Sequence, residues 1–192
     1  MSDPSTLTRS KVGLASMVLG ACFGVAVLFG TFSAQRVVAT ESEIPILYQA
    51  AFSLGVCLWT ILMSFILGMV GYKVEPSERN RQGMLWVLSG IILGTFFPIA
   101  VMLSQRNLTV FPERIGLPSL IMIAALSFGL GGALVGFSGM LTEMLFWKLI
   151  QQHRWGLILT YCLSLLLGVS AGWAAYGWTV FSSQTIFNIW IL

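Results

Sequence analysis

Gly129-Leu130-Gly131-Gly132-Ala133-Leu134-Val135-Gly136-Phe137-Ser138-Gly139 lies in a run from Leu117 to Thr142 that holds no charged residue. Gly129, Gly132, Gly136 and Gly139 follow spacings of three, four and three; Ala125 and Glu143 extend the series by four in each direction. On a helix these positions share one face. A strip of bare backbone inside an apolar helix lets a second helix approach closely. The stretch predicts a membrane-crossing helix whose glycine face is covered by another helix rather than by lipid.

The rest of the chain repeats this character. Of 192 residues, 57% are hydrophobic and 9% charged, against about 25% charged in a soluble domain. A helix needs about 20 apolar residues to span a bilayer. Five segments reach that length without Asp, Glu, Lys, Arg or His: Val12–Ala34, Ile44–Tyr72, Met84–Ser104, Leu120–Thr142 and Trp155–Phe181. They predict an all-α, single-domain integral membrane bundle of five transmembrane helices. Continuous apolarity, without period-two alternation, argues against a membrane barrel. Residues 1–11 read as a short polar tail. Residues 182–192 read as an uncharged tail lying along the interface or against a partner. The first span is too long for a signal-peptide core and lacks a small-x-small cleavage site, so it reads as uncleaved.

Small residues recur at helical spacing in every span. The first carries Gly13, Ser16, Gly20 and Gly24; the second carries Ser53, Cys57, Thr60, Ser64, Gly68 and Gly71. The third has Gly90 and Gly94, and the fifth has Ser164, Gly168 and Gly172. These stripes are candidate faces for helix packing or for a partner subunit, with Ser53, Thr60, Ser64 and Ser164 placed to add interhelical hydrogen bonds. A flat ligand lying on the glycines, such as a lipid, quinone or pigment, is a further reading. Pro98, inside the third span, removes one helical hydrogen bond and predicts a kink. Trp173, Tyr176 and Trp178 read as anchors at a membrane boundary.

The loops set an orientation. Arg9, Lys11, Lys73, Arg79, Arg81, Lys148 and Arg154 fall on one side, and Arg36, Arg106 and Arg114 on the other. The positive-inside rule predicts a cytoplasmic N-terminus and a C-terminus on the opposite side.

Catalytic chemistry has little to build on. His153 is the only histidine, so two histidines cannot face each other across the bundle. Cys22, Cys57 and Cys162 lie in three different spans and read as small packing residues. No P-loop follows the glycines, and no metal or cofactor site is predicted. Scattered basic residues give no nucleic-acid footprint. Glu143, at the end of the fourth span, reads as an end-of-helix carboxylate paired with a neighbouring base or left in water. His153 reads as a solvated side chain. Asn107-Leu108-Thr109 is a formal glycosylation acceptor. The expectation is a non-enzymatic membrane subunit, scaffold or assembly factor. It would contact membrane lipids and other membrane protein subunits, in a plasma (inner) membrane or an organellar membrane such as the thylakoid. The alternative is a small transporter or channel component for a neutral solute or lipid.

Overall fold

The computed structural model describes residues 9–38, 46–72, 74–104, 117–152 and 155–191. Nearly all of them are helical: α1 (Arg9–Val38), α2 (Ile46–Gly71), α3 (Pro76–Ser104), α4 (Leu117–Ala124), a π-helical turn (Ala125–Gly129), α5 (Leu130–Gln152) and α6 (Gly156–Ile191). There is no strand among the described residues. α4, the π turn and α5 run on as one rod, so five helices are long and apolar enough to cross a membrane. Asn107 and His153 lie outside the described residues.

Local chemistry explains the start of α3. Pro76 opens the helix, where a missing N–H costs little. The Glu75 carbonyl accepts the N–H groups of Glu78 and Arg79 at 3.0 and 3.2 Å. Glu78 sits in the first turn, where the helix dipole favours a carboxylate. α3 keeps the expected end at Ser104, running on through Pro98, but starts earlier, at Pro76. Two further features differ from the sequence reading. α6 does not end near Phe181 but remains helical to Ile191. The fourth span is interrupted by the π turn, which the glycine spacing did not signal.

The helices pack as a ring. α1 lies between α2 and α6, α6 between α1 and α5, and α5 between α6 and α3. α2 and α3 close the ring mainly through side chains: Phe52 meets Phe97 at 5.8 Å between ring centroids, and Trp59 meets Trp86 at 5.4 Å. The other seams are made by backbone approaching backbone. On α1 and α2, a methyl group at Gly20 would strike the Thr60 carbonyl and come 2.8 Å from Ser64 Oγ. One at Gly24 would meet Thr60 Oγ1, and one at Gly68 would meet Ser16 Oγ. On α1 and α6, Gly168 lies 2.6 Å by the same measure from Ala26 Cβ, and Gly172 lies against the Val27 carbonyl.

The opening stretch makes the tightest seam. Gly132 and Gly90 face each other so closely that a Cβ on either would collide with the other's carbonyl oxygen. A Cβ on Gly94 would strike the Phe128 carbonyl, and one on Gly136 would come 2.8 Å from Val87 Cα. Gly129 faces Thr95, and Gly139 lies under the Trp86 ring at 2.6 Å. The predicted cover over this face is therefore α3 of the same chain, and it leaves no room there for a flat ligand or a partner helix.

Inside and outside follow the logic of a lipid solvent. Ser16, Thr60, Ser127, Thr142, Thr160 and Ser164 are buried, whereas Leu54, Leu58, Leu62, Ile66 and Val70 form an exposed row on α2. Small residues permit close approach inside; large aliphatic ones meet acyl chains outside. Among the described residues, Ser53, Thr60 and Ser164 do not form the predicted hydroxyl bridges. Thr60 donates to the Cys57 carbonyl at 3.0 Å and Ser53 to the Gln49 carbonyl at 2.6 Å, both within α2. Ser164 Oγ is buried with no partner among the described residues. A hydroxyl in a helix finds a carbonyl one turn back before it finds a neighbouring helix.

Ring N–H and phenol groups bridge the helices instead. Trp59 donates to Ser89 Oγ at 3.0 Å, Trp173 to Ser33 Oγ at 2.9 Å, and Tyr161 to the Ala15 carbonyl at 3.3 Å. Trp178 donates to the Leu126 carbonyl, inside the π turn, at 3.1 Å. Trp173 and Trp178 thus tie α6 to its neighbours in addition to any anchoring at the boundary.

Gly55 of α2 and Gly177 of α6 have open space where a side chain would sit. Alanine at either position should be neutral or stabilise the bundle by up to about 1 kcal/mol, because helical glycine carries the larger entropy cost. Denaturant titration in mixed micelles measures this; a clear loss of stability in Gly55→Ala would contradict the packing described here.

Candidate functional site

Glu143 belongs to the same helical face as Gly132, Gly136 and Gly139. The apolar stretch that can cross a membrane runs from Ile121 to Ile150. Glu143 therefore stands about 10 Å inside its end, at a rise of 1.5 Å per residue. The sequence reading ended the span at Thr142 and so placed the carboxylate at the helix end. In the structure α5 continues past Glu143 to Gln152, and the carboxylate is half-buried rather than standing at a helix end.

Trp86 supplies the main contact. Its indole N–H donates to Glu143 Oε2 at 2.9 Å. The ring is 1% exposed and is the meeting point of four helices. The Phe23 edge from α1 packs at 5.9 Å between centroids, Trp59 from α2 at 5.4 Å, and Gly139 from α5 lies beneath it. Such T-shaped pairs are the favoured aromatic geometry.

Trp147 lies one turn beyond Glu143, on the same face. Its indole N–H is buried near the carboxylate without completing a hydrogen bond. Gly71, the last residue of α2, packs against its ring at 3.0 Å by the added-methyl measure. Arg79 from the first turns of α3 lies over the ring, with Cζ 4.4 Å from the centroid. Arg79 Nε also donates to the Val74 carbonyl at 3.2 Å. Burial pushes the Arg79 guanidinium below its usual range, and the Glu143 carboxylate opposes that shift. Arg79 is the base whose charge acts on Glu143, through space. The indole partner was not foreseen.

The remaining predicted site residues sort by seam. Gly20, Gly24, Ser64 and Gly68 form the α1–α2 seam; Gly90, Gly94, Gly129, Gly132, Gly136 and Gly139 form that of α3 with the π turn and α5. Gly168 and Gly172 form the α1–α6 seam. Cys22, Cys57 and Cys162 are free thiols on three helices. There is no cluster of three His, Cys, Asp or Glu among the described residues. Sequence reasoning missed Trp86, Trp147 and Arg79 as a group. The available signal was the four-residue spacing from Glu143 to Trp147; nothing in the sequence paired either with Trp86.

Five long apolar helices with small polar interiors and aliphatic exteriors define a multi-pass membrane protein. No protein-family model, curated protein or solved structure matches the chain.

Proposed function

We propose that this chain is a non-enzymatic integral membrane subunit, scaffold or assembly factor of a larger membrane complex. It sits in a plasma (inner) or organellar membrane with its N-terminus cytoplasmic and its C-terminus opposite. The observation that carries this reading is α2. It packs closely along α1 and reaches α3 mainly through ring contacts, which leaves most of its circumference, including the Leu54–Val70 row, outside the bundle. A helix held on one side offers its other side to lipid or to another subunit. The glycine seams make the bundle a compact body on which such a contact can be built. Purification from native membranes in mild detergent should recover the chain with larger partners. Recovery only as a free monomer would overturn the reading.

Glu143 favours the second reading, a small transporter or channel component for a neutral solute or lipid, because an ionisable group held inside an apolar bundle is costly and is a candidate mark of a substrate path. Reconstituted vesicles test it. Flux that disappears in a folded Glu143→Gln variant supports transport, and wild-type vesicles without flux count against it.

A further inference from the structure

Four side chains from two helices meet at the end of the bundle where α2 turns into α3. We propose that Glu143, Trp86, Trp147 and Arg79 form a protonation-sensitive latch that holds the start of α3 and the preceding turn against α5. The inference concerns this cluster alone and does not depend on which functional reading holds.

The geometry supplies both parts of a latch. One part is fixed: Trp86 is walled in by Phe23, Trp59 and Gly139, so its N–H points at Glu143 from a ring that cannot easily move. The other part is held from outside the apolar stretch. Arg79 lies over the Trp147 ring and bonds back to the Val74 carbonyl, so its position is tied to that of the turn between α2 and α3. Glu143 is the link between the two. As a carboxylate it accepts the Trp86 N–H in a charge-assisted bond, roughly twice as strong as a neutral one. It also attracts the guanidinium through a medium that screens poorly. As a neutral acid it loses both advantages, and Arg79 keeps only the ring and one carbonyl. The buried Trp147 N–H, unbonded beside the carboxyl group, offers a second seat if the acid turns.

The charge environment is simple. Arg79 is the charged group that acts on Glu143 from the helices packed against it. Lys11 on α1, Glu75 in the turn, Glu78 and Arg81 on α3, and Lys148 on α5 itself are exposed.

Fluorine NMR of the full chain in lipid nanodiscs, labelled with 5-fluorotryptophan, tests the latch. Trp86→Phe and Trp147→Phe assign the two resonances. Between pH 5 and pH 9 both should move together through one midpoint. Glu143→Gln should abolish the movement of both, Arg79→Gln should uncouple Trp147 from Trp86, and His153→Gln should leave the titration intact. Should Glu143→Gln not fold, Glu143→Asp should displace the common midpoint. Resonances that stay still across the range overturn the proposal, as does a titration that persists in Glu143→Gln or moves in His153→Gln.

Discussion

Gly132→Leu should prevent α3 from seating on α5 and cost the bundle about 3 kcal/mol or more, at or beyond the upper end of ordinary overpacking. The reason is the nature of the neighbour. A Cβ at Gly132 meets the Gly90 carbonyl oxygen and comes 2.8 Å from the carbonyl carbon. A flexible side chain could swing aside, but backbone cannot move without the whole helix. Prising the helices apart at this point also separates Gly94 from Phe128 and Gly136 from Trp86 and Val87, so the loss spreads along the seam. Gly132→Ala should already destabilise, in contrast to Gly55→Ala on the open face of α2. Denaturation in mixed micelles, with size-exclusion profiles as a check on folding, separates the cases. A Gly132→Leu protein as stable as the parent would mean that the two helices do not pack as described.

The second large effect is expected at Trp86. Trp86→Ala removes a ring that is 1% exposed and touches three other helices. Core truncations of this size cost about 3–5 kcal/mol. Here the change also strips the hydrogen bond from a half-buried carboxylate. Trp86→Phe isolates that component, since most of the ring contact survives and only the N–H is lost. A hydrogen bond to a charged acceptor contributes about 1.5–3 kcal/mol. Trp86→Phe should therefore lose part, and Trp86→Ala most, of the stability difference. If Trp86→Phe matches the parent while Trp86→Ala collapses, packing alone accounts for the site and the indole bond contributes nothing measurable.

The five helices were legible because a bilayer imposes a simple demand. Every backbone polar group must be satisfied within the segment, and about 20 apolar residues must follow one another. Val12–Ala34 and Trp155–Phe181 meet that demand on inspection. The glycine stripes were equally visible, but spacing identifies a flat face without identifying what lies on it. That Gly132 meets Gly90, and Gly172 meets Val27, depends on tertiary arrangement. The helix end beyond Glu143 was missed for a specific reason. A span drawn to its first charge ends at Thr142, whereas a helix that ties the charge to an indole continues to Gln152. The π turn had no signal in Ala125–Gly129. Its Leu126 carbonyl is reached by Trp178 from α6, a partner 52 residues away.

The ring order also has a consequence for how the protein is made. α1 with α2, and α3 with α5, are pairs of consecutive spans, so each can close soon after synthesis at a low loop-closure cost. α6 touches both pairs, lying between α1 and α5, and it is the last of the described helices to be synthesised. Its tie from Trp173 to Ser33 joins residues 140 apart. Until α6 enters the membrane, Gly30 and the α1 backbone around Phe23 and Val27 have no cover. A nascent chain stalled before Gly156 would thus hold two finished hairpins fastened on one side, through the Phe52, Trp59 and Phe23 contacts with α3, and open on the other. It would present the α1 surface to the insertion machinery, a chaperone or a protease for as long as the stall lasts.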